Sequence, residues 1–470
     1  MNNKVKYAGS LLFVVLGATV ALTQAFQPDL DFRGHLTVMM LLITIGLWIF
    51  RPFDISFSIT SCFFLASLLI IGVPAADVFS GFSQNAVWTL IPALFFGFAL
   101  AKTGLGKRIA YFCMKSIKVT IPTMLLMWAV IGVTLSLLTP SITVRVVIII
   151  PIALQCIEVC KLAEGSKARS LILITAWAMA VIPGTGWLTG SLAGPILSGF
   201  YDSTQGLEAV DFASWLKVSL LPVALISIFT VIVGYFLLKP EEKISLGKEV
   251  FKEEYAKLGK MSFHEKVTGI VLSACFIMFT TNSIHHVPDA ATCLVGLFIL
   301  GLTRCILAKE VSTGISWDLV VFIGTAMGFG AVFTVTGVSA WMSNLLVSAI
   351  APITTSPWLF VMVILLLMFI WRFVDIATFI PTMAIVSSIA PAVATQFGID
   401  PLVWIPLLCI AMNSFFFSYT NMFALVGEAN TGAKGWTAGH LTRYGTGYFV
   451  VSMLVMCAAI PYWMSLGLFG

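Results

Sequence analysis

Long apolar runs broken by short polar loops set the pattern of this chain from end to end. Runs free of Asp, Glu, Lys and Arg extend from Ile55 to Ala76, Val78 to Ala101, Val119 to Val144, Ser170 to Tyr201, Val218 to Leu238, Leu319 to Trp371, Ile376 to Ile399, Pro401 to Gly427 and Tyr444 to Gly470. Each exceeds the roughly 20 residues that a helix needs to cross the hydrocarbon layer. The pattern therefore predicts an all-α polytopic membrane protein. Near the amino terminus, Lys4 and Lys6 precede an apolar run from Ala8 to Ala21. No small-residue cleavage site stands out and further spans follow at once, so a first transmembrane helix is expected there rather than a cleaved leader.

Two polar knots interrupt the runs at matching places. The arms Val119 to Leu138 and Val144 to Glu158 meet at Thr139, Pro140, Ser141, Ile142 and Thr143, between loops that both carry the lysines and arginines of a cytoplasmic face. That arrangement predicts a re-entrant hairpin whose tip stops near the midplane, although two full crossings fit the lengths as well. A second knot falls at Arg372, Val374, Asp375, Ile376, Ala377 and Thr378. A Thr-Gly pair precedes each knot, and the interval from Thr103 to Ser141 equals that from Thr336 to Val374, 38 residues in both. An internal repeat leaves such a shared interval. Each half then offers a later break, Pro183 to Ser191 in the first and Asn413 to Asn421 in the second. Discontinuous helices at equivalent positions point to a substrate site, since freed amide groups and helix amino termini attract anions.

The long polar segment at 239–266 separates residues 1–238 from 267–470. Its alternating Glu and Lys fit an amphipathic interfacial helix or a solvated connector. Counting Lys and Arg in the short loops puts the amino terminus inside and, with eleven spans and two hairpins, the carboxyl terminus outside.

Composition agrees with lipid as the solvent: 59% of the 470 residues are hydrophobic, 10% are charged, and the mean hydropathy is +1.02. The net charge of +5 lies in short loops rather than on one face, which argues against a nucleic-acid partner. Neither the nine cysteines nor His35, His264, His285, His286 and His440 form a metal-ligand motif, and no nucleophile and base stand together, which argues against a membrane enzyme.

Gly81-Phe82-Ser83 to Trp88, Lys102-Thr103-Gly104-Leu105-Gly106, the tip Thr139-Pro140-Ser141-Ile142-Thr143-Val144-Arg145 and the stretch from Ile315-Ser316-Trp317-Asp318 to Thr336-Gly337 together resemble the divalent anion:sodium symporter family. The family's tips carry Ser-Asn-Thr, and its exchanger branch follows this with a small residue and an arginine, as Val144 and Arg145 do here. Ile142 stands where the first asparagine would be, and Val374, Asp375 and Ile376 replace the second Ser-Asn-Thr. The resemblance implies two inverted repeats, about eleven transmembrane helices plus two re-entrant hairpins, and a homodimeric elevator-type transporter in a bacterial plasma membrane.

Arg145, Arg372 and Asp375 are charges inside apolar hairpins, where each costs about 2.5 to 3.5 kcal/mol on insertion scales. Arg145 is expected to meet a substrate carboxylate with its planar fork, or else to bind hairpin carbonyls. Arg372 and Asp375, three residues apart, share a face if the helix continues and would then form an internal ion pair. Asp375 is also the candidate for a protonatable or cation-binding group. The expected substrate-binding set is Ser141, Ile142, Thr143, Arg145, Thr189, Gly190, Ser191, Asp375, Thr378, Thr420 and Asn421. The expected function is carriage of a small organic anion, a di- or tricarboxylate first, by exchange or without sodium. A sodium-coupled dicarboxylate, sulfate or sulfonate symporter is the alternative reading, and an anion channel the next. No cofactor is called for, and the altered tips speak against a sodium ion.

Overall fold

A computed structural model describes residues 3–115, 118–204, 206–242, 244, 249–375, 379–432 and 434–469. The described residues form helices and loops, with no β-strand beyond an isolated bridge between Ile399 and Phe469. Among them, eleven helices are long and apolar enough to cross a membrane, or twelve if the bent pair Val338–Ile353 and Pro357–Trp371 counts as one. The all-α polytopic architecture read from the sequence is thus observed.

The chain opens with α1 (Asn3–Thr23), α2 (Phe32–Phe50), α3 (Phe57–Ile70) and the single turn α4 (Ala75–Val78). The span α5 (Asn85–Lys102) leads into the short α6 (Leu105–Met114), followed by α7 (Ile121–Leu138) and α8 (Ile142–Val159). Next come α9 (Lys167–Val181), α10 (Ala193–Ser203) and α11 (Phe212–Leu238). The polar segment forms α12 (Glu249–Lys257), and α13 (Phe263–Thr280), the turn α14 (Asn282–His285) and α15 (Asp289–Leu302) follow. The order of the first half then recurs. Two collinear pieces, α16 (Trp317–Met327) and α17 (Phe329–Val335), lead to α18 (Val338–Ile350), and α19 (Pro357–Trp371) and α20 (Ile380–Phe397) follow as a pair. The broken helix α21 (Trp404–Met412) and α22 (Met422–Asn430) precedes the last span, α23 (Ala438–Ser465).

The two Thr-Gly pairs have the same local role. Gly104 and Gly337 both take a left-handed φ, 82° and 73°, and each turns the chain from a long span into the short helix after it. Glycine adopts that conformation without the Cβ clash other residues meet.

The helix α9 is apolar all round and correspondingly buried on nearly every side, whereas α1 is mostly exposed to the surroundings. Buried tryptophans fasten α9, α11 and the second broken helix together while satisfying their own N–H groups. Trp177 Nε1 donates to the Phe423 carbonyl at 2.8 Å, Trp215 Nε1 to the Thr185 carbonyl at 3.1 Å, and Trp463 Nε1 to the Val218 carbonyl at 3.1 Å. The two breaks therefore lie in one packed centre.

Candidate functional site

The first knot is an extended turn between two helices. Pro140 cannot continue α7, Thr139 is extended, and Ser141 caps α8 with its hydroxyl accepting from Val144 N at 3.4 Å. Thr139 Oγ1 accepts from Ser141 N at 3.1 Å. From the first turn of α8, Arg145 reaches into the centre and is 0% exposed. Its Nε donates to the Ala180 carbonyl at 2.7 Å, and its Nη1 donates to the carbonyls of Thr139 at 2.7 Å and Gly190 at 2.6 Å. Nε has one hydrogen and Nη1 two, so both are fully engaged. Only Nη2 lacks a partner. The two-pronged fork expected for a substrate carboxylate is thus reduced to one nitrogen, because hairpin tip, helix end and break converge on the other two.

The first break begins where Pro183 ends α9, passes through a tight turn at Pro183–Gly186 and an extended Trp187, and ends at α10. A Cβ on Gly184 would stand 2.1 Å from the Gly190 carbonyl and 2.7 Å from Arg145 Nη2, so only glycine lets these groups meet. Beside them, Thr189 Oγ1 and Ser191 Oγ are buried without a hydrogen-bond partner. The second break lies against the first. Asn413 Nδ2 donates to Thr185 Oγ1 at 3.1 Å, while Asn413 Oδ1 and Ser414 Oγ have no partner.

Thr420 and Asn421 serve the main chain instead. Asn421 Nδ2 donates to the carbonyls of Ser414 at 3.1 Å and Met412 at 3.4 Å, and its Oδ1 accepts from Phe423 N at 2.9 Å. Thr420 Oγ1 donates to the Phe417 carbonyl at 2.8 Å. Ile142 is buried at the tip, and Thr143, about 200° round α8 from Arg145, is exposed. Gly184, Thr185, Asn413 and Ser414 lie within the two expected breaks but outside the expected substrate-binding set. Their signal was their position at the first residues of each break, where helix carbonyls and amides are released.

An unsatisfied buried polar group costs about 1 to 3 kcal/mol. Arg145 Nη2, Thr189 Oγ1, Ser191 Oγ, Asn413 Oδ1 and Ser414 Oγ all stand on the tip or the two breaks. They are five of sixteen such side-chain atoms among the described residues, the other eleven being spread over other elements. The cavity lined by Pro140 and Thr189, with Phe96, Cys275, Phe276 and Phe279 opposite, measures about 20 Å³, room for one water.

At the second knot α19 ends at Trp371, so Arg372 and Asp375 do not continue one helix face. Arg372 Nη1 donates to the main-chain oxygen of Asp375, its guanidinium lies 5.6 Å from the centre of the Phe379 ring, and its Nε has no partner. The Asp375 carboxylate accepts from Phe379 N at 3.3 Å and Thr382 Oγ1 at 2.7 Å, which places it as a cap at the start of α20. The side chains are therefore held by the backbone and a hydroxyl rather than by each other. Thr378 lies outside the described residues.

A sequence profile described as the "Sodium:sulfate symporter transmembrane region" matches residues 6–469. Among curated relatives, the sodium-dependent dicarboxylate transporter SdcS of Staphylococcus saprophyticus is 24% identical over 446 residues, 88% of this chain and 83% of its own length. A membrane protein of Cupriavidus necator is 26% identical over 72% of this chain and 69% of its own, and the chloroplastic dicarboxylate transporter 1 of Spinacia oleracea is 24% identical over 61% and 51%. Among solved structures, the YdaH transporter of Alcanivorax borkumensis shares the fold, with a TM-score of 0.57, 13% identity, and coverage of 86% of this chain and 90% of that one. With the profile matching almost its whole length, the chain belongs to this sodium:sulfate symporter family of multi-pass membrane transporters and is not an enzyme.

Proposed function

We propose that the protein is a secondary carrier of small organic anions, dicarboxylates first, that works by exchange or without sodium. The observation that carries this reading is Arg145. Its charge is buried at the meeting of tip and break, no carboxylate among the described residues pairs with it, and one nitrogen is left for a ligand. Thr189, Ser191 and Ser414 offer hydroxyls to the same anion, Asn413 fixes the second break against the first through Thr185, and Ser141 and Gly190 position the main chain around it. The dicarboxylate preference rests on the dicarboxylate transporters among the relatives.

Moving one charge against 100 mV costs about 2.3 kcal/mol, so entry of a dianion into a negative interior requires compensation. A fixed guanidinium gives part of it while the anion is bound and opposes return of the empty carrier. Exchange of one anion for another follows from that asymmetry. The reading is completed by the division into 1–238, 239–266 and 267–470, with the pairs α7 and α8 and α19 and α20 as hairpins. Eleven spans are then left: α1, α2, α3, α5, α9 with α10, α11, α13, α15, α16 with α17, α21 with α22, and α23. The hairpins, broken helices, α11 and α23 would move together against the others as an elevator, in a homodimer in the plasma membrane with the amino terminus inside.

The sodium-coupled alternative has the 88% coverage by a sodium-dependent relative in its favour. The anion class is tested by preloading proteoliposomes with succinate, malate, 2-oxoglutarate, citrate or sulfate and measuring counterflow of labelled succinate. Acceleration by the C4 and C5 dicarboxylates above sulfate is expected. Acceleration by sulfate alone would replace the dicarboxylate by an inorganic anion.

A further inference from the structure

The short helix α6 lies between a fixed clamp and the hairpin that carries Arg145. On one side Arg108 bolts it to the entry of α13. The guanidinium meets both carboxylate oxygens of Glu265, Nε to Oε1 at 2.6 Å and Nη2 to Oε2 at 3.2 Å, and donates to the carbonyls of Gly259 at 2.9 Å and Leu258 at 3.1 Å. Glu265 Oε2 also accepts from Ser262 N at 2.7 Å, so the clamp is continuous with the capping box of α13. The connector helix α12 closes over α6, with Lys115 Nζ 3.8 Å from the centre of the Tyr255 ring.

On its other side α6 touches α8. The hydroxyl of the buried Tyr111 donates to Gln155 Oε1. Gly106 leaves room for Ile148, whose Cδ1 would stand 2.6 Å from a Cβ there. Gln155 also faces Glu254 on α12, a carboxylate that Lys257 first and Gln155 second hold below its usual range. A single α8 side chain thus bonds α6 and faces α12 in the clamped unit. The corresponding helix of the second half, α18, makes no side-chain hydrogen bond to α20 among the described residues.

We infer that Gln155 is a positioning residue of transport: with Tyr111 it forms a latch that holds the first hairpin against the clamped α6 in this state and opens when the hairpin moves. The inference rests on the carrier reading, because a hairpin that carries the site from one side to the other has to leave a helix bolted to α13. Among the described residues only the first half has the latch, so on this inference the two hairpins are released unequally.

The test places spin labels at Ala101→Cys on α5 and Val159→Cys on α8, both exposed, in protein whose nine native cysteines are replaced. Pulsed distance measurements on reconstituted protein read the hairpin position without any substrate. A second, longer distance is expected, and Gln155→Leu and Tyr111→Phe should each raise its share about two- to tenfold, the range of one net hydrogen bond. In exchange assays the same variants should change kcat with little change in KM. A distance distribution that both variants leave unchanged overturns the latch, even if exchange is normal. Absence of dicarboxylate exchange by the unsubstituted protein counts against the carrier reading, while the distance shift still decides the latch.

Discussion

Arg145 brings a full charge into a pocket made of main-chain oxygens, and substitutions separate its holding role from its anion-facing one. Arg145→Ala leaves the carbonyls of Thr139, Ala180 and Gly190 buried without donors. Stability should fall by at least about 2 kcal/mol, read as a lowered unfolding temperature in detergent, and exchange should be lost. Guanidinium at low millimolar concentration should restore part of that temperature in the variant and none in the unsubstituted protein, with sodium chloride at equal ionic strength as the control. Gly184→Ala should also abolish exchange, since its methyl would collide with the Gly190 carbonyl and crowd Arg145 Nη2. Asp375 separates differently. As a cap of α20 it should tolerate Asn, so Asp375→Asn is expected to keep the pH and sodium dependence of transport, whereas Asp375→Leu should unfold the tip. A changed proton or sodium dependence in Asp375→Asn would return it to the coupling role that its substitution for a neutral residue suggests.

Arg145 was legible in the sequence because a charge inside an apolar hairpin is expensive and therefore conspicuous. Two of its three carbonyl partners were not, since Ala180 and Gly190 come from α9 and the first break and meet the tip only through the fold. Thr420 and Asn421 stand out in the sequence as polar groups in an apolar run. The geometry shows why that signal is ambiguous: a broken helix needs side chains to satisfy its own released carbonyls and amides. Asn413 and Ser414 carry the same ambiguity and resolve it the other way, with oxygens left over.

At the scale of elements, helices and their breaks were readable because apolar run length, Pro140, Pro183 and the two Thr-Gly pairs are local signals. The polar segment was readable only in part. Its balanced charges fit an amphipathic helix or a solvated connector alike; α12 is a helix that buries Phe251 and covers α6, and the loop after it supplies carbonyls to Arg108. The Arg108 and Glu265 side chains are only 7% and 8% exposed. Removing one partner of such a pair leaves an uncompensated charge, so Arg108→Ala or Glu265→Gln should destabilise the protein by roughly 3 to 5 kcal/mol. The charge swap Arg108→Glu with Glu265→Arg should not recover it, because the carbonyls of Leu258 and Gly259 accept only from a donor at 108. Thermal unfolding of the four proteins in one detergent checks this. Recovery by the swap would reduce the clamp to a simple ion pair.

For the whole molecule, the order of elements repeats, yet the halves differ where it matters for charge. Among the described residues, the first tip holds an arginine with no acidic partner, whereas the second holds Arg372 beside Asp375. On the reading proposed above, the Arg145 charge, which no carboxylate among the described residues pairs, accompanies the anion in both directions. On that reading, coupling follows from the fixed charge rather than from a dissolved cation. It is tested most directly by uptake of labelled dicarboxylate into proteoliposomes in sodium-free buffer, comparing vesicles loaded with the unlabelled anion against empty ones, and then repeating both with an inward sodium gradient. The account predicts rapid uptake into loaded vesicles only, unchanged by sodium. Sodium-driven uptake into empty vesicles would contradict it.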